Sequence, residues 1–223
     1  MAFYYRVVHV STTGSIPGTG RARQRRSAQT EQRIVTAAAE LFERDGYAAT
    51  TMAAIAAGAG VAVQSLYLRF GGKLPILGAV LDAAVVGDTA PVPLLEREWF
   101  ARLRELPDGP SAVRLFLAEM ATLMSRTYPL YEVLVRAGDE ARELLASNKA
   151  QRQEGLQAVA AVLAEKPGFA RELDVAQAAD LLYGLVSEEH YGLLVAERGW
   201  APSGWRDWVT GVLTATFYPS ADA

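Results

Sequence analysis

Apolar residues recur at helical spacing along almost the whole chain. Between Thr30 and Arg44, Ile34, Val35, Ala38, Leu41 and Phe42 form one stripe at a 3.6-residue period. Asp45-Gly46 closes that stretch in a way that suits a left-handed C-cap. Thr51 is a good N-cap for a short helix whose buried face is marked by Met52, Ile55 and Ala56. Gly58 and Gly60 end it, and Gly60 can take the left-handed conformation of a sharp turn. A second short helix follows, with Leu66 and Phe70 four apart on one face. Val63, Gln64, Ser65, Tyr67 and Arg69 are left to point elsewhere. A further helix runs from Lys73 to about Val86 on Leu74, Leu77, Val80, Leu81 and Ala84. Gly72 can cap it, and Pro75 falls in its first turn, where a missing N–H costs nothing.

After a break at 87–93 the helical pattern continues to the end. The periodicity predicts helices near Leu94–Leu106, Ser111–Thr127, Leu130–Leu145, Ala150–Ala164, Val175–Arg198 and Ser203–Phe217. Proline or glycine marks the gaps at Pro107, Gly109-Pro110, Pro129, Pro167-Gly168, Gly199 and Pro202. No run with period two interrupts them, and no repeat at a solenoid period is present. The expected fold class is all-α, with the second half of the chain a helical bundle.

Composition narrows the picture. The chain has 223 residues, enough for two modest domains, and 51% are hydrophobic, enough for a real core. Cysteine is absent, which excludes disulfides and thiolate metal sites and fits a cytoplasmic protein. No apolar run reaches the roughly 20 residues of a membrane span, so no membrane partner is expected. Charge is uneven. Residues 1–73 carry 9 Lys+Arg and 4 Asp+Glu, net +5, and the remainder is net −8. A basic head on an acidic body suggests that the head meets a polyanion. Residues 1–26 read as a flexible basic arm. In it, Phe3 to Val10 has strand-like composition and Ser11 to Gly20 that of a linker, before Arg21, Arg23, Arg25 and Arg26. Those arginines either solubilise the tail or reach phosphates and the minor groove.

Two short helices joined by a glycine turn form a helix-turn-helix unit, whose second helix enters the DNA major groove. The stretch from Thr51 to Lys73 resembles the DNA-binding region of the TetR family of transcriptional regulators. The matching residues are Ile55-Ala56, Ala59-Gly60-Val61, Ser65-Leu66-Tyr67, Phe70 and Lys73. The stretch departs from the family pattern at Ala62, where Ser or Thr is usual, at Gln64, where a small residue is common, and at Gly71-Gly72 and Pro75. Tyr191-Gly192-Leu193-Leu194, Arg198-Gly199-Trp200 and Trp208-Val209 also resemble the end of many such chains. The resemblance implies an N-terminal three-helix DNA-binding domain at 27–73 and a helical ligand-binding and dimerisation domain at 74–218, followed by a tail at 219–223.

It also implies residue roles. Gln64 can pair with adenine and Val63 can meet a thymine methyl. Thr51, Ser65, Tyr67, Arg69 and Lys73 are placed for phosphates. Phe116, Met120, Met124, Tyr128, Tyr131, Tyr183 and His190 would line a small-molecule pocket, with plain core packing the alternative for each. Leu185, Tyr191, Leu194, Trp205, Trp208 and Val212 would face a second copy. His190 beside Glu188 and Glu189 has no second histidine at ligand spacing, so no metal or cofactor is expected. No nucleophile–base pair or phosphate loop is present, so an enzyme is not expected. The implied function is a homodimeric repressor on a palindromic double-stranded operator, released by a small apolar or aromatic effector that shifts the helix beginning at Lys73. The alternative is a helix-turn-helix protein with no such effector, either architectural or controlled by a protein partner.

Overall fold

A computed structural model describes residues 19–87 and 94–219 of the chain. The strand-like composition of Phe3 to Val10 lies outside the described residues, as do most of the linker and the last four residues of the tail. Ten α-helices and no strand are found among the described residues.

The first compact unit comprises the N-terminal segment through Pro93 together with Pro129–Arg142. Its first helix, α1, spans Thr19–Ala49 and is interrupted at Gly46, where φ is +77°. Glycine is needed there because a Cβ is strained at positive φ. Residues 19–26 are helical, and Arg25 and Arg26 are exposed on that helix. The stripe predicted on α1 is its buried face: Ile34, Val35, Ala38 and Phe42 are buried, and Leu41 is half-buried. Helices α2 (Met52–Ala59), α3 (Val63–Phe70) and α4 (Lys73–Val86) follow. α1 packs against α2 and α4, while α3 packs against α2 and α4. Ile55, Leu66, Ile76 and Leu77 complete a core with no exposure at all.

The second unit comprises Leu94–Tyr128 and Glu143–Ala223. It contains α5 (Glu98–Glu105), the larger part of α6 (Gly109–Arg136), α7 (Arg142–Ala164), α8 (Val175–Leu185), the single turn α9 (Glu188–Tyr191) and α10 (Pro202–Phe217). Phe116, Leu117, Met124, Leu163, Leu182, Trp205 and Phe217 form its core.

Several boundaries differ from those expected, and two of them have a clear local cause. The break anticipated at Pro129 does not occur: α6 continues through it to Arg136, and the chain turns at Gly138 (φ +64°) instead. A proline removes one helical hydrogen bond, but Leu123, Met124, Thr127, Leu130, Tyr131 and Leu134 keep buried faces on both sides of it. That burial outweighs the lost bond. Conversely, the expected Val175–Arg198 helix ends at Leu185. Ser187 starts a new turn by accepting the His190 N–H at 3.1 Å, with Glu188 and Glu189 in the first turn. Gly192–Glu197 then winds as a π-helix.

Candidate nucleic-acid interface

The hydroxyl of Thr51 accepts the Ala54 N–H at 3.1 Å and fixes the start of α2. At the other end Gly60 takes φ +64°, ψ +43°, and its N–H reaches the carbonyls of Ala56 and Ala57. The chain then re-enters a helix at Val63, and the axes of α2 and α3 differ by 107°. That angle is typical of a helix-turn-helix. Ala62, which begins α3, offers no side-chain cap. What holds α3 is Leu66, fully buried, with Phe70 half-buried one turn on.

The opposite side of α3 is open. Val63, Gln64, Ser65 and Tyr67 are exposed, Tyr67 by 52%. Leu68 is 81% exposed, which makes it the most open large apolar residue of those described. Leu68 is not among the residues that match the family pattern. The signal was present: Leu68 stands four residues after Gln64, on the same face, away from Leu66.

Two cations expected at phosphates are occupied within the head. The Lys73 ammonium donates to the backbone carbonyls of Tyr47 (2.6 Å) and Thr50 (3.0 Å), and lies 4.1 Å from the centre of the Tyr47 ring. It ties α4 to the α1–α2 corner. Arg69 donates to Ser27 Oγ (3.1 Å) and pairs with Glu31 at 3.2 Å, both on α1. It is a brace between α3 and α1. The Tyr47 hydroxyl in turn donates to Glu140 Oε1 at 2.5 Å. Burial, and then the nearby carboxylate, hold the Tyr47 phenol well above its ordinary range.

Residues 34–80, which span this arrangement from mid-α1 into α4, match the sequence model described as bacterial regulatory proteins, tetR family. Over these residues the head matches the DNA-binding region of the TetR family. No curated protein matches the chain in sequence at a significant level. Among solved structures the chain resembles NalD, the secondary repressor of the MexAB-OprM multidrug efflux pump in Pseudomonas aeruginosa. The two are 19% identical with a TM-score of 0.65, over 88% of this chain and 99% of that one. It also resembles the transcriptional regulator FadR from Bacillus subtilis in complex with stearoyl-CoA, at 19% identity and a TM-score of 0.65 over 83% and 98%. A putative TetR-family regulator from Mesorhizobium loti is 22% identical, with a TM-score of 0.63 over 86% and 98%. At these identities the likeness is one of fold, and it covers the body as well as the head.

The residues expected to line a pocket divide between the two compact units. Phe116, Met120 and Met124 are buried on α6, with Phe116 against Trp99 at 6.5 Å between ring centres. Tyr131 belongs to the first unit, unlike the others. The ring of Tyr128 packs 5.7 Å from that of Tyr191 and so close to Gly192 that a Cβ there would stand 2.4 Å from it. The Tyr183 ring carries the guanidinium of Arg152 at 4.5 Å. The Nδ1 of His190 accepts from Trp205 Nε1 at 3.1 Å, and burial draws the imidazole pKa below its ordinary value. A buried ion pair, unsuspected from sequence, links Arg152 on α7 to Glu188 on α9. Glu189 lies 3.1 Å from the same nitrogen of Arg152, and Thr127 donates to Glu188 at 3.4 Å. Burial opposes the charge on Arg152, but the two carboxylates outweigh it and hold the proton more tightly than usual.

Two residues expected to face a second copy are enclosed by their own chain. Trp205 has no exposure and Tyr191 only 4%, with the rings meeting edge to face at 5.2 Å. They are core residues. Leu185, Leu194 and Val212 are half-buried, and Trp208 is 43% exposed. Among the described residues, no group of three or more His, Cys, Asp or Glu is placed to hold a metal ion, and no single helix is long and apolar enough to cross a membrane.

Proposed function

We propose that this TetR-family regulator is a repressor, acting as a homodimer that sets two copies of α3 into successive major grooves of a two-fold operator. The observation that carries this reading is the combination on α3 of a buried anchor, Leu66, with an open outer face bearing Val63, Gln64, Ser65 and Tyr67. A single eight-residue helix makes few base contacts, so a second half-site is needed for useful affinity. The exposed Trp208, its edge-to-face neighbour Trp200 and exposed Leu193 supply apolar surface for a second copy. Thr51, Ser65 and Tyr67 hold the register on phosphates, while Gln64 and Val63 meet base edges.

A small apolar or aromatic effector bound in the body releases the operator. NalD, named a repressor of an efflux pump, and FadR, solved with stearoyl-CoA, support this reading by their shared fold. The uninterrupted α6 supports it as well, since one helix supplies residues to both compact units. Effector and DNA then weaken each other by the same factor, typically 5- to 150-fold.

The test is selection of bound duplexes from a random pool, followed by titration of the best one. A two-fold site bound by two chains is expected. Recovery of no sequence better than the starting pool, or of an asymmetric site bound by one chain, would overturn the reading. A compound that raises the melting temperature must also lower operator affinity; one that leaves it unchanged removes the effector from the scheme.

A further inference from the structure

We infer that the operator half-site is read as A·T pairs, with Leu68 seated on a thymine 5-methyl group beside an adenine held by Gln64. This rests on the DNA-binding reading above and names the chemistry of the partner. The outer face of α3 presents Val63, Gln64, Ser65, Tyr67 and Leu68, and none of these is charged. A solvated helix face ordinarily carries charge.

Guanine is most often read by an arginine or lysine that reaches O6 and N7 together. The only basic residue in α3 is Arg69, and its guanidinium is turned back onto Ser27 and Glu31. Lys73, the next cation, is bound to the carbonyls of Tyr47 and Thr50. The reading face therefore has no guanine reader. It has one amide, which matches the donor–acceptor pair of adenine N6 and N7, and two apolar groups, Val63 and Leu68. Gln64 and Leu68 are one helical turn apart, so their side chains point into the groove side by side. Adenine and thymine methyls are the base-edge features that match such a pair.

Leu68 is 81% exposed, so Leu68→Ala should leave the fold intact and isolate the contact. The experiment replaces each thymine of the selected half-site in turn with deoxyuridine, which removes the methyl alone. The parent protein should lose about three- to tenfold in affinity at one position per half-site beyond any position sensed by Val63. Leu68→Ala should bind the unmodified site more weakly by a similar factor and be indifferent to deoxyuridine at that position. Identical deoxyuridine profiles for parent and variant, or a selected half-site built of G·C pairs, would overturn the inference while leaving DNA binding intact. Failure of the DNA-binding reading has a different signature, namely no selected duplex at all.

Discussion

Lys73 carries the sharpest test of how the head is built. The substitution Lys73→Met keeps most of the apolar stem and removes the ammonium. Two backbone carbonyls then lose a charged donor: that of Tyr47, at the end of α1, and that of Thr50, whose residue is 1% exposed. Hydrogen bonds to charged groups contribute about 1.5–3 kcal/mol each. The contact with the Tyr47 ring adds about 0.5–1 kcal/mol at a site of this exposure. The ammonium is itself half-buried and is rehydrated in the unfolded chain, so the expected net loss is about 2–4 kcal/mol. For a chain of this length that corresponds to a fall in melting temperature of about 5–12 °C. Thermal unfolding reads this directly. The second assay is operator affinity against salt. Because the ammonium points into the head, no phosphate partner is lost, and the salt slope of folded Lys73→Met should equal that of the parent. A phosphate contact would instead lower the slope by about 0.9 per chain. An unchanged melting temperature with a shallower slope would refute the structural role and return Lys73 to the DNA.

Asp82 on α4 has its carboxyl raised by burial from 3.8 to about 6. The folded state thus holds a proton that the unfolded chain releases between about pH 4 and 6. Stability falls as pH rises through that window and is level above it. Asp82→Asn should be more stable than the parent by about 2–3 kcal/mol at pH 7.5 and equal to it near pH 4, as urea unfolding at the two values would show. A constant difference at both would remove the titration argument. For the buried pair, Arg152→Met leaves Glu188 charged and enclosed and should cost about 3–5 kcal/mol, whereas Arg152→Met with Glu188→Leu should recover most of it. A double variant no more stable than the single one would show that the pair is not the source of the loss.

The head was largely legible because its signals are local. A threonine cap, a left-handed glycine and apolar residues at helical spacing each act within a few residues, and they fixed α2, the turn and α3 in the places found. The body was less so. Proline at 129 and the serine at 187 compete with tertiary burial, and burial won at the first while the cap prevailed at the second. Side-chain roles were the least legible of all. Nothing in the order of residues says that Lys73 meets carbonyls 23 and 26 residues earlier, that Arg69 meets Glu31, or that Trp205 is sealed against Tyr191. Helix type and the turn between helices were settled by backbone preference and periodicity, which neighbours in the chain supply. Which cations remain free, and which aromatic residues are left on the surface, was decided only when distant segments packed and drew charged and apolar groups into contact.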